Sequence, residues 1–352
     1  MKPLYFSNKI LKWYAQEKRD LPWRDNFDPY SIWISEIILQ QTRIDQGTSY
    51  YLRFMEKFPT LLSLATANQD EVLKLWQGLG YYSRARNLHF GAQQVLNDYH
   101  GIFPTSFLEL KKIKGVGDYT AAAIASIAFN EPVAAVDGNV YRVLSRIFGI
   151  DEPIDTSSGK KQFAELANQL LDRKNAGDYN QALMEFGALH CKPKQPLCQE
   201  CPFSKNCFAY TKQIVDVLPV KSKKVKQRHR FFYYLCIHQN KNIYFKKRTE
   251  NDIWRNLFDF PLIEFNESKT TAELFSSVQW NSFFENQTIQ INHISNEVIH
   301  LLSHQKIHVQ FIGIQLISEN ILPTNFIKID KRNIFDLAVP KLIENYLSGL
   351  KG

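Results

Sequence analysis

Four of the five cysteines of the chain are crowded into one short segment. They are spaced as Cys191-x6-Cys198-x2-Cys201-x5-Cys207, which is unlike the dispersed disulfide framework of a secreted domain and favours a reducing compartment. Four thiols from one loop can surround a single tetrahedral sulfur site, of the kind that holds zinc or an iron–sulfur cube. A redox Cys-x-x-Cys motif would use only Cys198 and Cys201. The spacing therefore predicts a loop wrapped around a metal or a cluster, with zinc, iron–sulfur and redox use all open.

Length and charge constrain the rest of the chain. Its 352 residues are too many for one ordinary core and suit two domains. The 43 Lys and Arg exceed the 35 Asp and Glu, and the net charge of +8 favours an anionic partner such as nucleic acid. No apolar stretch approaches the roughly 20 residues that span a bilayer, and residues 1–16 lack a signal-peptide core. We therefore expect a soluble, cytoplasmic protein of two domains.

The first part of the chain has the apolar periodicity of helices. Segments with this spacing are 30–43, 71–76, 84–99, 120–129 and 160–171. Proline and glycine interrupt the sequence between them, which predicts an all-α domain at residues 1–215. Residues 216–229 are rich in positive charge and poor in core residues, and they predict a basic linker. Its lysines are Lys221, Lys223, Lys224 and Lys226.

From residue 230 to residue 352, β-rich segments take over. Residues 231–237, 243–247 and 307–316 are short apolar runs, and part of the last alternates with polar residues as a strand does. A helix is predicted over 333–347, with Pro340 bending or shortening it. The second domain is therefore predicted to be α+β.

A pair of glycines predicts a phosphate-binding turn. Gly115 and Gly117 flank one apolar residue at the start of a helix of small residues, and Lys111, Lys112 and Lys114 precede them. Glycines let backbone amides approach an anion at the positive end of a helix. Helix-hairpin-helix motifs hold a DNA phosphate in this way without reading bases. A Gly-x-Gly alone is usually only a turn, but the lysines and the helix favour phosphate binding here.

Two carboxylates lie in unusually apolar sequence. Glu36 belongs to a segment, residues 31–42, that is too apolar for a solvated face. Burial there would raise its pKa and keep a proton available for general-acid catalysis, although a buried salt bridge is the structural alternative. Asp137, within residues 134–140, can cap the helix that follows, a role that is compatible with catalysis.

Seven motifs occur in the order found in the adenine DNA glycosylases of the MutY type, within the endonuclease III superfamily, and the chain resembles this family over nearly its whole length. The motifs are residues 21–24, 35–42, 78–84, 110–123, 136–140, 185–188 and 191–207. The resemblance implies excision of undamaged adenine opposite 8-oxoguanine or guanine, which prevents G:C to T:A transversions. It also implies a monomer that binds double-stranded DNA containing these mispairs, and a [4Fe–4S] cluster on Cys191, Cys198, Cys201 and Cys207.

The family's catalytic residues match positions of this chain. Glu36 is similar to the general acid that protonates adenine at N7. Asp137 resembles the carboxylate that stabilises the cationic sugar, either electrostatically or as a transient covalent adduct. Tyr119 occupies the position of the Schiff-base lysine in bifunctional relatives, which implies a monofunctional glycosylase. Tyr119 and Asn139 are expected to support the reacting sugar and Asp137.

The resemblance also implies how the DNA is contacted. Arg24 and Glu185 are expected to line the pocket that adenine enters after leaving the base stack. Gln41 and Tyr81 are expected to fill and wedge the duplex near 8-oxoguanine, with an ordinary core role as the alternative for either Tyr81 or Tyr82. The predicted substrate and DNA contacts are Arg24, Gln41, Thr42, Leu79, Tyr81, Gly115, Gly117, Glu185, Ser303 and His304.

The second domain resembles the Nudix-like C-terminal domain of this family, which reads 8-oxoguanine. Residues 254–261 fit its Leu-Trp-x-Phe-Pro region. The sequence contains no Gly-x5-Glu-x7-Arg-Glu Nudix box, so pyrophosphate hydrolysis is not expected. The family's recognition loop reads Phe-Ser-His, whereas this chain keeps Ser303 and His304 but has Leu302 in place of the phenylalanine.

Two other functions share part of these features. A bifunctional endonuclease III-type lyase acting on oxidised pyrimidines has the same helices, hairpin and cluster, but Tyr119, Glu36 and the extra domain disfavour it. A non-catalytic DNA-binding or redox-sensing protein needs neither Glu36 nor Asp137.

Overall fold

The computed structural model describes residues 1–24, 26–222, 227–285, 287–317 and 326–349, and it divides into two compact units. The first unit is Met1–Ala67 with Asn87–Lys223, and the second is Asn68–Arg86 with Lys224–Gly352. Compactness thus groups Asn68–Arg86 with the second unit, although it lies in the helical part of the sequence. The limits predicted from the sequence, 1–215 and 230–352, remain a prediction. Of the predicted basic linker, Lys223, Lys224 and Lys226 lie outside the described residues.

The first unit is built from helices in its described residues. They are α1 Pro3–Glu17, α2 Pro29–Leu39, α3 Ile44–Lys57, α4 Leu61–Ala65, most of α6 Ser83–Asp98, α7 Phe107–Leu110, α8 Asp118–Phe129, α9 Gly138–Phe148, α10 Ser157–Leu170, α11 Ala176–Leu189 and α12 Phe208–Thr211, with short 3₁₀ helices at Pro22–Arg24 and Ser204–Asn206. The helix α5 Gln69–Leu75 belongs to the second unit. The prediction of an all-α first domain is confirmed.

Helix α11 lies at the centre of this unit, against α1, α8 and α9. Its buried face carries Tyr179, Leu183 and Phe186, none of them more than 1% exposed. Gly187 allows a close approach to α9, because a Cβ at this position would lie 2.6 Å from the Cβ of Asn139. The packing of α11 therefore fixes the start of α9 beside the end of α11.

Helix α2 ends earlier than its apolar periodicity predicts. The side chain of Asp28 caps its start, and Oδ2 accepts a hydrogen bond from the amide of Ser31 at 2.9 Å. The predicted helix extends to residue 43, but Leu39 is the last helical residue. Gln41 has φ of +59°, a left-handed conformation that a continuing helix cannot contain. Gln41 and Thr42 therefore lie in a turn rather than on a helix face.

The described part of the second unit contains an eight-stranded sheet and short helices. The strands are β1 Arg228–Gln239, β2 Asn242–Lys247, β3 Phe258–Asp259, β4 Leu262–Phe265, β5 Ile289–Ile294, β6 Val298–Leu301, β7 Gln305–Leu316 and β8 Phe326–Asp330. Besides α5, the helices include α13 Thr271–Phe275, α14 Val278–Phe283 and α15 Lys341–Gly349. The main strand order is β3-β2-β1-β7-β5, with β4 paired to β1, β6 to β7 and β8 to β2. The β1–β7 pair is parallel and the others are antiparallel. The predicted α+β class is confirmed.

Strand β1 is apolar on both faces because the sheet is covered on both sides. Phe232, Tyr234 and Cys236 point into a core shared with α15, whereas Tyr233 and Leu235 point into a core shared with α13 and α14. This alternation follows from the two-residue period of a strand.

The last helix also differs from its prediction. Residues Lys331–Asp336 form a 3₁₀ helix, and α15 starts only after Pro340. Proline cannot donate a helical hydrogen bond, so it separates the two segments. No helix in the described residues is both long and apolar enough to cross a bilayer.

Candidate active site

Glu36 is partly buried on α2 and meets Tyr119 from the first turn of α8. The hydroxyl of Tyr119 donates to Glu36 Oε2 and also lies 3.3 Å from the sulfur of Met184. Burial raises the pKa of Glu36 to about 7. The hydrogen bond from Tyr119 opposes this rise in pKa, and the negative charge of Asp137 adds to it. Near neutral pH, Glu36 can therefore hold a proton and release it.

Asp137 is the N-cap of α9, as the sequence predicts for a helix start. Its Oδ1 accepts from the amide of Val140 at 2.8 Å, and its Oδ2 accepts from Asn139 Nδ2 at 2.7 Å. Burial raises the pKa of Asp137, while these two donors and the charge of Arg142 lower it. The capping and catalytic interpretations of Asp137 are thus compatible. The cap holds its carboxylate close enough to Glu36 for its negative charge to raise the pKa of Glu36.

Arg142 connects the start of α9 to the first cysteine. Its Nη2 donates to Asn139 Oδ1 at 2.8 Å and to the Gly187 carbonyl at 2.7 Å, and its Nε donates to the Cys191 carbonyl at 2.7 Å. The side chain is only 8% exposed. Asn139 is therefore held between Asp137 and an arginine that also anchors the cysteine loop.

Glu185 is buried at the end of α11 and is surrounded by two arginines. Arg19 donates through Nε at 2.8 Å and Nη2 at 2.7 Å, and Arg24 donates through Nη2 at 3.0 Å. Burial disfavours the charged carboxylate, but the hydrogen bonds from Arg19 and Arg24 prevail and lower the pKa of Glu185 to about 2. The sequence interpretation named Arg24 and Glu185 but missed Arg19. Arg19 lies two positions before the Leu21-Pro22-Trp23-Arg24 motif, where no spacing rule marks it.

The Glu36–Tyr119 contact lies near the network of Glu185 and its arginines. Met184, beside Glu185 in the chain, contacts the hydroxyl of Tyr119, and the charge of Arg24 lowers the pKa of Glu36. The first unit therefore brings together the predicted catalytic residues and the predicted adenine-pocket residues. They are Glu36, Tyr119, Asp137, Asn139, Arg24 and Glu185.

The predicted hairpin is a turn between α7 and α8. Gly115 has φ of +85°, and a Cβ there would lie 2.7 Å from that of Asn87, so only glycine fits without strain. Gly117 is the N-cap of α8 and has no side chain to cap the helix, which leaves the first-turn amides available to an external acceptor. Lys111 forms an exposed ion pair of 2.5 Å with Asp118. The sequence interpretation of the hairpin did not consider this carboxylate.

Gln41 and Thr42 lie in the turn after α2. Gln41 is exposed, and the Thr42 hydroxyl lies 3.4 Å from the Gln40 carbonyl. Gln40 donates to the hydroxyl of Thr120 on α8 at 3.2 Å, which ties this turn to the helix that carries Tyr119.

Within the second unit, Tyr81 and Tyr82 have different environments. Tyr81 is 46% exposed with φ of +46°, and its hydroxyl forms a hydrogen bond with Ser303 Oγ. Tyr82 is 5% exposed, and its hydroxyl lies 3.4 Å from the Val339 carbonyl. Leu79 is partly buried in the same loop. Tyr82 is therefore a core residue, whereas Tyr81 presents its ring to solvent.

The loop between β6 and β7 exposes Ser303 and His304 but not Leu302. Leu302 packs against the core that lies under α15, and its amide donates to the Gln305 carbonyl at 2.8 Å. The His304 carbonyl accepts from the amide of Arg228 at 2.9 Å. The leucine that replaces the family's phenylalanine thus anchors the loop from below, and the two polar residues remain on the surface.

The four clustered cysteines line one cavity beside α9 and α11, together with Arg146 and His190. The amide of Phe203 donates to the sulfur of Cys201 at 3.4 Å, and the guanidinium of Arg146 lies 3.6 Å from the sulfur of Cys191. Such donors stabilise sulfur ligands of iron. Among the described residues, no three His, Cys, Asp or Glu side chains are arranged closely enough to hold a single metal ion.

Comparison with protein families gives two matches. Residues 34–169 match the HhH-GPD superfamily of base excision DNA repair proteins, and residues 232–349 match the NUDIX domain.

Individual relatives match either nearly the whole chain or its first part. An adenine DNA glycosylase of Buchnera aphidicola subsp. Acyrthosiphon pisum is 33% identical over 98% of this chain and 97% of its own length. The adenine DNA glycosylase of Rattus norvegicus is 47% identical over 58% of this chain and 42% of its own length. Among solved structures, a thermostable thymine-DNA glycosylase is 34% identical with a TM-score of 0.55, covering 60% of this chain and 97% of that chain.

The helical architecture and the turn between α7 and α8 agree with the first family match, and the mixed sheet of the second unit agrees with the second. The chain belongs to the adenine DNA glycosylase family and is a DNA glycosylase of base-excision repair.

Proposed function

We propose that the protein excises adenine paired with 8-oxoguanine or guanine in duplex DNA, without cleaving the strand. The observation that carries this proposal is the contact of Tyr119 with Glu36, beside Asp137. It supplies a proton donor, a carboxylate and, at the position of the Schiff-base lysine of bifunctional relatives, a phenol that cannot form an imine. The names of its relatives supply the base, adenine.

The chemistry follows from the two carboxylates. The bond between adenine N9 and the sugar C1′ breaks with its electron pair passing to the base, while Glu36 transfers its proton to adenine N7. The cationic sugar that remains is stabilised by the carboxylate of Asp137. Water then adds at C1′, and the proton that it loses restores the protonated form of Glu36. Glu36, with a pKa of about 7, is the group suited to donate the proton. Three polar partners, Val140, Asn139 and Arg142, favour the anion of Asp137.

The remaining contacts divide by role. Arg19, Arg24 and Glu185 form a rigid network of hydrogen bonds that suits recognition of the polar edge of a flipped adenine. The amides at Gly115 and Gly117 are proposed to bind a phosphate.

Other exposed or partly exposed residues are proposed to contact the mispair. In the first unit these are Gln41 and Thr42. In the second unit they are Leu79, Tyr81, Ser303 and His304, of which Tyr81 and Ser303 are hydrogen-bonded to each other. The hydroxyls of Tyr81 and Ser303, on two exposed loops, can form hydrogen bonds with the N–H and the carbonyl that oxidation adds to guanine.

We propose that Cys191, Cys198, Cys201 and Cys207 hold a [4Fe–4S] cluster. They fit this group because they line one cavity and receive N–H donors directed at sulfur. The cluster would supply structural cross-linking of the loop, which Arg142 and Arg146 attach to α9. A broad absorbance near 400 nm, the region in which sulfur-to-iron charge transfer occurs, would support this assignment, and colourless zinc-loaded protein would contradict it.

All the proposed catalytic groups come from one chain, which supports action as a monomer, and a bacterial cytoplasm is the proposed location. The enzyme assay uses duplexes containing A:8-oxoguanine, A:G or thymine glycol. Strand breaks at adenine that require alkali support the proposal, whereas cleavage at thymine glycol without alkali contradicts it.

A second assay isolates Asp137. The variant Asp137→Asn is expected to bind the A:8-oxoguanine duplex but to lose adenine release by on the order of 10³-fold, because an amide cannot neutralise the cationic sugar. Asn139→Ala, which removes only the support, should lose less. Substantial residual turnover in Asp137→Asn would remove Asp137 from this role.

A further inference from the structure

A groove in the first unit lies away from the catalytic groups. It forms where the start of α1 meets the end of α9 and the helix α12, and it has a volume of about 620 Å³. Asp137 caps the start of α9, whereas Ile147 and Phe148 at the end of the same helix line the groove. Eleven helical residues rise roughly 16 Å, so the groove is distinct from the active site.

The groove is positively charged. Lys2, Lys205 and Lys212 line it, all three are exposed, and its lining includes no aspartate or glutamate. Within the described part of the chain, none of these lysines forms a salt bridge. Three cations that face one groove without internal partners favour a negatively charged occupant.

The groove is also apolar, which a site for phosphate alone does not require. Tyr5 is 45% exposed and Phe208 is 43% exposed, and both contribute to its walls. The large apolar side chains are held in place. A Cβ on Gly149 would lie 2.5 Å from the ring of Phe208, and the rings of Phe6 and Phe148 are 5.5 Å apart. A rigid apolar wall rimmed by cations suits an apolar anchor flanked by carboxylates.

We propose that this groove binds an acidic peptide segment of a partner protein, with a leucine or an aromatic residue inserted between Tyr5 and Phe208. Single-stranded nucleic acid is the other anionic polymer with which lysines and aromatic rings associate. It stacks its bases on open ring faces. Here the Nζ of Lys9 lies 4.8 Å from the ring centre of Tyr5 and covers one of its faces, and the aliphatic Ile147 offers no stacking surface. A peptide side chain needs no such face, and the groove, at about 620 Å³, has room for one.

The test is a selection of random dodecapeptides displayed on phage against the full-length protein, followed by anisotropy of the enriched peptides as fluorescent synthetic probes. Lys205→Glu/Lys212→Glu reverses two charges of the groove, and Lys160→Glu/Lys161→Glu makes the same change on exposed α10. We expect enriched peptides to carry several Asp or Glu residues around a leucine or aromatic residue. They should lose about 10-fold or more affinity for the groove variant and none for the control variant.

The proposal would be overturned by no enrichment, by peptides that bind both variants equally, or by a dT12 oligonucleotide whose binding is lost only in the groove variant. An unchanged melting temperature of both variants establishes that they fold. A peptide whose apolar anchor residue is replaced by serine tests the apolar wall of the groove separately from its lysines. Retained affinity of this altered peptide would also contradict the proposal, because simple charge attraction would then suffice.

Discussion

Glu36 and Glu185 are two glutamates on helices of the same unit, and their surroundings shift their pKa values in opposite directions. Burial disfavours the charge of both. Glu36 meets a neutral phenol and a second carboxylate, and its pKa rises to about 7. Glu185 meets Arg19 and Arg24, and its pKa falls to about 2. Burial therefore sets the cost of the charge, and the partners decide whether the protein keeps it.

The difference in pKa suits the two roles proposed for these glutamates. A carboxyl group that titrates near neutrality can give a proton to a leaving base and recover it. A carboxylate fixed between two guanidinium groups keeps one charge state and one geometry over the working pH range, as recognition of a base requires.

The largest expected effect comes from Glu36→Gln, which removes the proton donor and retains the shape. We expect excision of adenine from an A:8-oxoguanine duplex to fall about 10²–10⁴-fold in single-turnover assays. Stability should change in the opposite sense. Because the pKa of Glu36 is raised in the folded state, wild-type stability falls as pH rises from about 4.5 to about 7. The variant should therefore gain on the order of 1–3 kcal/mol at pH 8 and nothing at pH 4.

Urea unfolding at the two pH values measures this gain. Glu17→Gln removes an exposed carboxylate from the end of α1 and is the control. An equal change at pH 4 and pH 8 in Glu36→Gln would show that the raised pKa is not its cause.

A second change tests whether the arginines hold Glu185 in its charged state. Arg19→Met with Arg24→Met leaves a buried carboxylate without cations, which we expect to cost about 3 kcal/mol at pH 7. The lowered pKa of Glu185 contributes stability that is present above about 4.5 and lost as pH falls towards about 2. The difference from wild type, measured by urea unfolding, should therefore shrink at pH 3. Adding Glu185→Gln should restore part of the loss, and no recovery would mean that the arginines stabilise the fold by other contacts.

A third change adjusts Glu36 without removing it. The rate of excision should decline above about pH 7 as Glu36 loses its proton. The hydrogen bond from Tyr119 lowers the pKa of Glu36, so Tyr119→Phe should raise this pKa and move the alkaline limb to higher pH by less than about one unit. The pH profile of single-turnover excision measures the limb. A shift to lower pH would contradict the assignment of this limb to Glu36.

The smallest effect is expected at an exposed carboxylate. Asp118 is 78% exposed and pairs with Lys111, so Asp118→Asn should change the free energy of unfolding by less than about 1 kcal/mol. Removal of a negative charge beside the turn proposed to bind phosphate should raise DNA affinity by a few-fold, and less so in high salt. Salt-dependent binding curves measure this, with Asp98→Asn on exposed α6 as the control. A large loss of stability would mean that exposure is a poor guide to the role of a carboxylate here.

The sequence singled out most of the residues that meet in the candidate site, but it missed Arg19. Glu36, Asp137 and Arg24 are marked by apolar surroundings or by a family motif. Arg19 is marked by neither, because its function arises from contact with Glu185, 166 residues away. The extended prediction for α2 failed for a similar reason, since apolar periodicity continues past Leu39 while the backbone turns at Gln41.

The second unit shows the same limit. The sequence left open which of Tyr81 and Tyr82 is a core residue, and it gave no orientation for Leu302. Tyr82 is buried and Leu302 packs inward because of residues far along the chain, among them Val339. Which of two adjacent residues is exposed depends on this long-range packing, and a local sequence pattern does not predict it.

By itself, the sequence determined the helical and β-rich halves, the cysteine loop, the glycine turn and the family. These features depend on periodicity and covalent spacing, which are local properties of a chain. The tertiary structure alone decided which partners set the pKa of Glu36, that Glu185 keeps its charge between Arg19 and Arg24, and that a cationic groove lies at the far end of α9. Charge state and exposure depend on the dielectric and the partners that distant segments bring, so they exist only once the chain has folded.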